Sequence, residues 1–298
     1  MTDSDRPLLA WVESPLQLIG AAELAASRGE LIRVAFRLSG EQMTATAAEL
    51  IKRGAPFRVA EPYYGIPWAL LSSHRDWVIG DAFSGQFRSA MTMLRPRSVT
   101  LVDDGAMSIH VAEALAGRVD YARPGQRESG LKTLLGGRAR DRMLRLATTG
   151  SLGMFSAFAD HPSLAVLSAR DIAVTANDFS WLREHGRPIA VPQGRIILGS
   201  AAVQDGTLAP ERYLSWLRGV ASAGPAAYLP HRREPLDVLR AVSAIDGLTV
   251  RAIGLPVELA LAGTAEPLDI VSLRSTAAIT LRQVLEGSGS SIRLEVAA

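Results

Sequence analysis

The sequence contains no cysteine. Disulfides, thiolate nucleophiles and thiolate metal sites are therefore excluded. Lysine is nearly absent too: it occurs only as Lys52 and Lys132, so the basic residues are almost all arginine. A bias of that kind follows genomic base composition and by itself names no function. A strong charge of either sign is also missing. The formal net charge is +2, too small to mark a general nucleic-acid binder. No apolar run approaches the length needed to span a bilayer. The opening "MTDSDRPLLAWVESPLQ" joins an acidic start to an apolar run too short for a secretory signal. These absences lead us to expect a cytoplasmic protein, with at most peripheral contact on the inner face of the cell membrane.

What is present is a chain of 298 residues with 48% hydrophobic and 21% charged residues, enough to bury a sizeable core in one large domain or two ordinary ones. Short apolar runs alternate with helical stretches. "LLAWVE", "LIRVAFR", "PFRVA", "DWVIG" and "SVTLV" read as strands, with helices at 15–28, 41–53 and about 84–94. Residues 119–165 break the rhythm. Their basic, glycine-rich stretch "GLKTLLGGRARDRMLRLATTGSLGMF" reads as a surface excursion, or as a surface that meets an acceptor or an anionic membrane. The rhythm returns with "DIAVTAN". After "GRPIAVPQG" comes a second series: strands "RIILGS", "AAYLP", "LTVRAIG", "LDIVS" and "SIRLEV", with helices at 210–222, 233–243, 256–262 and 275–286. Apolar strands between amphipathic helices predict parallel sheets covered on both faces. The expected architecture is α/β, two Rossmann-like domains spanning 1–190 and 191–298, joined near 188–194.

In such sheets ligands bind beyond the carboxyl ends of the strands. The first unit places Ser14 and Gln17 after one strand and Asp103-Asp104-Gly105 after another. The second places Gly199-Ser200, His231-Arg232-Arg233-Glu234, Pro256-Val257-Glu258 and Ser275-Thr276 at its strand ends. Plainer readings exist for each. Asp-Gly is a common turn pair. Ser275 or Thr276 suits a helix N-cap, and Pro256 with Glu258 suits an ordinary first turn. His231 with its arginines suits a solvated basic turn. Taken together they suit a phosphate held by cationic and hydroxyl groups, a ribose held by a carboxylate, and an acid opposite to deprotonate an alcohol.

The order of "SPLQ", "DDG", "YLPHRRE", "LPVE" and "SLRSTAAITL", from residue 14 to about 285, resembles the bacterial sialyltransferases that build capsules and lipooligosaccharides, the capsule polysialyltransferases included. The resemblance implies a GT-B fold, with two Rossmann-like domains facing across a cleft, and an inverting transfer of sialic acid or a related nonulosonic acid from CMP to a glycan hydroxyl. It gives Asp103 the part of general base and His231 that of the residue at the donor phosphate, assisting departure of CMP. Asp104 and Gly105 fix the turn or orient the acceptor, with Ser14, Gln17 and Arg232 beside the substrate. Glu258 and Pro256 stand at the ribose, and Ser275 and Thr276 at the phosphate; Ser200, at another strand end of the same unit, is counted with them as a donor-binding residue. The residue after His231 is arginine where the family has proline, and Thr276 replaces a serine. No carboxylate cluster of metal-binding character lies near the phosphate elements, so no essential metal or other cofactor is expected. The resemblance leaves a homodimer open, without an interface signal in the sequence.

Three alternatives stand beside this reading. One is a transferase for another CMP-ulosonic acid (Kdn, Kdo or a pseudaminic-type sugar), another nucleotide sugar, or an epimerase on the same fold. A second is a non-catalytic nucleotide-binding protein of envelope assembly. A hydrolase is disfavoured: there is no G-x-S-x-G elbow, and His231 is the one histidine at an expected strand end, with His74, His110, His161 and His185 elsewhere.

Overall fold

The structure is a computed structural model and describes residues 7–189 and 194–297. The chain forms two compact units, Met1–Trp181 and Leu182–Ala298. Residues 190–193 of the expected connection lie outside the described residues.

The first unit holds strands β1 (Leu9–Val12), β2 (Ile32–Arg37), β3 (Phe57–Tyr63), β4 (Asp76–Ile79), β5 (Ser98–Val102), β6 (Leu152–Ser156) and β7 (Ala173–Ala176). They form one seven-stranded sheet in the order β3-β2-β1-β4-β5-β6-β7, and every pairing is parallel. The second unit holds β8 (Arg195–Leu198), β9 (Ala226–Leu229), β10 (Leu248–Val250), β11 (Asp269–Leu273) and β12 (Ser291–Glu295). Its five strands run parallel in the order β10-β9-β8-β11-β12. Both sheets are doubly wound. The strand order reverses between β1 and β4 in the first unit and between β8 and β11 in the second. A ligand crevice is expected outside the carboxyl ends of those pairs.

The sequence pattern accounts for this. β1 and β9 are buried at every residue, as strands covered on both faces must be. In β8, Ile196 enters one apolar cluster with Leu198, Leu229, Ile270 and Leu281, and Ile197 enters another with Tyr213, Leu217, Tyr228 and Val271. Successive side chains of one strand thus serve opposite faces. The helix Pro210–Ala221 brings Tyr213, Trp216, Leu217 and Val220 onto the second cluster at helical spacing. The helix Pro15–Arg28 starts with proline at its first turn. Ser14 caps it, Gln17 completes a capping box, and Gly29 ends it in the left-handed region. Its Leu18 and Ile19 are fully buried, contributing about 1.5–3 kcal/mol each.

The reading of residues 119–165 as a surface excursion is corrected. This stretch contains the 17-residue helix Leu131–Ala147 and strand β6, which is hydrogen-bonded between β5 and β7. The helix buries Gly136, Ala139, Met143 and Ala147. Small residues on the packed face let it lie close to its neighbours but give a weak apolar periodicity. Among the described residues no helix is long and apolar enough to cross a membrane.

Candidate active site

In the first unit, Ser14 follows β1 and the acid pair follows β5. Gly105 adopts φ 66°, the left-handed region in which a side chain is strained, so the turn after the two acids requires glycine. The two acids face different surroundings. Asp103 is 2% exposed. Its carboxylate accepts the Ser156 hydroxyl at 2.6 Å and the Ala157 N–H at 2.5 Å, both from the end of β6. Burial outweighs these bonds and pushes its pKa up to about 6. Asp104 is less buried. It accepts the Ser14 hydroxyl at 3.2 Å, and its own N–H donates to the Ser108 hydroxyl at 3.3 Å. Burial, and then the nearby carboxylate of Asp81, raise its pKa, while Gln17, Ser14 and Arg123 pull it down.

Asp81 was not among the residues singled out from the sequence. It follows β4, directly beside the reversal of strand order, and is 8% exposed. It accepts the Phe83 N–H at 2.9 Å and pairs with Arg123. It also borders a cavity of about 430 Å³ lined by Glu13, Arg37, Arg88, Arg123 and Glu128 among others. That is within the range of small-ligand sites. Each lining carboxylate has an arginine: Glu13 with Arg37 at 2.8 Å, Glu128 with Arg88 at 2.5 Å, and Asp81 with Arg123. Such pairs set donors beside acceptors, which suits a hydroxyl-rich ligand. The signal for Asp81 was present in "DWVIGDAFSG", an apolar strand ending in an acid, but its importance depends on strand order.

In the second unit the expected residues gather in two clusters. His231, after β9, is half-buried. Its Nδ1 accepts the Arg233 N–H at 3.2 Å, so the neutral ring carries its proton on Nε2 as a donor. Burial and then Arg233 and Arg232 lower its pKa, which favours that neutral form. Arg233 is engaged by Asp205 at 2.8 and 2.9 Å, while Arg232 is exposed. Ser200 follows β8; its N–H donates to the Tyr213 hydroxyl at 3.2 Å and its Oγ accepts the Ala202 N–H at 3.1 Å.

The other cluster joins the ends of β10 and β11. Pro256 caps the short helix Val257–Leu261, which carries Glu258. Glu258 is 6% exposed and accepts the Thr280 hydroxyl at 2.6 Å; burial raises its pKa. Ser275 caps the helix Thr276–Val284, accepting the Ala278 N–H at 3.3 Å, and its hydroxyl also meets that of Ser272 at 3.2 Å. Thr276 opens that helix, where backbone N–H groups and the helix dipole favour an anion. Thr280 and Ser156, which hold Glu258 and Asp103, were missed because each lies far along the chain from its partner; Ser272, three residues before Ser275, sits inside the apolar strand β11 and carries no strand-end signal. Among the described residues no group of three or more metal-ligating side chains is disposed to hold an ion.

No protein-family model matches the chain. No curated protein matches it either. Among solved structures the chain is similar to Phytolacca americana UGT2 complexed with UDP-2fluoro-glucose and pterostilbene. The identity is 13% over 97% of this chain and 80% of that one, with a TM-score of 0.48. It is also similar to UDP-glucose: anthocyanidin 3-O-glucosyltransferase in complex with UDP, at 12% identity over 97% of this chain and 80% of that one, with a TM-score of 0.43.

Proposed function

We propose that this chain is an inverting GT-B glycosyltransferase that moves sialic acid, or a related nonulosonic acid, from a CMP donor to a hydroxyl of a glycan acceptor. The observation that carries the reading is the division of chemistry between the two doubly wound sheets. The first has carboxylates and a polar cavity beside its strand reversal. The second has a histidine whose Nδ1 is held by the Arg233 N–H and a hydroxyl-capped helix start, both at its strand ends.

In this account the second unit holds the donor. The Nε2–H of His231, the Ser275–Thr276 helix start and Ser200 meet the phosphate, with Arg232 beside it. Pro256 and Glu258 take the ribose side. The acceptor's hydroxyl-rich portion lies in the cavity bordered by Asp81. As the acceptor oxygen attacks the anomeric carbon, the bond to the CMP phosphate breaks and its electrons pass to the phosphate oxygen. Donors already aimed at that oxygen stabilise the growing charge. The hydroxyl proton goes to a carboxylate of the first unit.

Exposure favours Asp104 for that step, because Asp103 is 2% exposed and both its oxygens are engaged. Asp103 then anchors the turn to β6. A second reading gives the proton to Asp103 itself, since a pKa of about 6 lies close to neutral pH, where a general base works well. Purified Asp104→Asn and Asp103→Asn proteins separate the two when assayed with CMP-sialic acid and a panel of glycans, with CMP affinity measured in parallel. With Asp104 as the base, Asp104→Asn loses about 10²–10⁴-fold in kcat, binds CMP as before, and is slower than Asp103→Asn. The reverse ranking assigns the proton to Asp103. Full activity in both variants would refute the mechanism.

A further inference from the structure

The turn that carries His231 is tied to the end of β8 by a buried chain of side chains. Glu234, 8% exposed, accepts the His231 N–H at 3.0 Å on one oxygen and the Tyr228 hydroxyl on the other. Tyr228 and Tyr213 share a hydrogen bond of 2.7 Å between their hydroxyls, and Tyr213 accepts the Ser200 N–H at 3.2 Å. The Glu234 N–H closes the turn on the His231 carbonyl at 2.9 Å. Gly199 makes room for this assembly. A Cβ there would stand 2.5 Å from the His231 nitrogen and 2.6 Å from a Glu234 carboxylate oxygen.

A buried carboxylate is a costly way to close a turn. Burial acts against its charge, and a neutral side chain would satisfy the same N–H without that penalty. What the carboxylate adds is reach in two directions, one oxygen for the histidine turn and one for the tyrosine pair that leads to Ser200.

We infer that Glu234 is a positioning residue: acting through the His231 backbone and the Tyr228–Tyr213–Ser200 chain, it holds His231 and Ser200 in one register at the donor phosphate. The inference rests on the proposed role of His231. It gives Glu234 no contact with substrate. Gly199 belongs to the same assembly, because any side chain there pushes the two strand ends apart.

The test is CMP binding by titration calorimetry on the full chain, with melting temperatures recorded beside it. The variants are His231→Ala, Glu234→Ala, Glu234→Gln, Tyr228→Phe and the double variant His231→Ala/Glu234→Ala. His231→Ala is expected to weaken CMP about 10- to 100-fold, the usual range for losing a hydrogen bond to a charged group. Glu234→Ala should weaken it to a similar extent, and the double variant no further than the weaker single variant. Glu234→Gln, which keeps an acceptor for the His231 N–H but gives up the second acceptor for the Tyr228 hydroxyl, should bring the affinity back to about the level of Tyr228→Phe. A stability role alone would lower the melting temperature of Glu234→Ala and leave the affinity of the folded protein unchanged. If Glu234→Ala does not fold, Tyr228→Phe replaces it. It removes one donor to Glu234 and is expected to weaken CMP several-fold, and unchanged affinity there would overturn the inference. Affinity losses that multiply in the double variant would also overturn it, because Glu234 would then act independently of His231. Loss in His231→Ala with wild-type binding in folded Glu234→Ala overturns the inference and leaves the function standing. Wild-type protein that does not bind CMP overturns the function first.

Discussion

Replacing Asp103 by asparagine is expected to make the protein more stable at neutral pH. The carboxylate is 2% exposed, and its pKa is raised from 3.8 to about 6 by burial, against the pull of Ser156 and Ala157. Between those two values the folded chain keeps a proton that the unfolded chain has released. The stability from this group is therefore fully present below pH 3.8 and is lost as the pH rises through about 6. A rise of that size corresponds to about 3 kcal/mol of stability forgone at pH 7. Asparagine resembles the protonated acid. Its carbonyl can accept the Ala157 N–H, and its amide can donate to the Ser156 hydroxyl. Imperfect geometry takes back about 1 kcal/mol. The net gain of about 2 kcal/mol should raise the melting temperature of the first unit by about 4–8 °C at pH 7.5. The gain should vanish as the pH falls towards 4 and turn there into a small loss, at most about 1 kcal/mol, because only the geometric cost remains. Calorimetric melts of the two proteins at pH 4, 6 and 7.5 provide the assay. A destabilised Asp103→Asn at pH 7.5, or a difference that does not change with pH, would refute this reasoning.

Three other substitutions follow from the same geometry. Arg88→Ala should destabilise the first unit by about 3–5 kcal/mol in urea unfolding, because it strands the Glu128 carboxylate of a buried pair; the arginine side chain is 3% exposed and the glutamate 12%. Gly105→Ala, at φ 66°, should cost about 1–2 kcal/mol by the same measurement. Thr280→Val keeps the side-chain shape but removes the 2.6 Å bond to the buried Glu258 carboxylate. A loss of about 1–3 kcal/mol is expected at pH 7.5. Since Glu258 already has a raised pKa and the lost bond favoured its charged form, that cost should fall as acid protonates the group, which melts at pH 5 would read.

The sheets were legible in the sequence because parallel strands buried on both faces leave unbroken apolar runs such as "LAWV" and "AAYL". Helix starts were legible for local reasons: Ser14 before Pro15 and Ser275 before Thr276 are N-caps in the structure. Strand β6 was hidden in "LGMFS", behind a helix whose packed face is made mainly of small residues. The candidate site divides the same way. Ser14, Asp103, Ser200, His231 and Ser275 could be placed at strand ends because each follows an apolar run directly. Asp81 follows one equally directly. Its place beside the strand reversal comes from the pairing of β1 with β4, which no local pattern shows. The separate surroundings of Asp103 and Asp104 are likewise set at a distance, by Ser156 and Ala157 on one side and Ser14 and Asp81 on the other.

The central claim, a CMP-linked donor held by the second unit, is tested most directly by melting the purified protein with CMP, UDP, GDP and ADP in turn, without added metal. A ligand that binds only the folded chain raises its midpoint, by about 2.7 kcal/mol of stability at a hundred times its dissociation constant. A clear rise is expected with CMP, and a loss of that rise in His231→Ala. A rise with UDP or GDP and none with CMP would contradict the donor assignment, and no rise with any nucleotide would contradict the transferase reading itself.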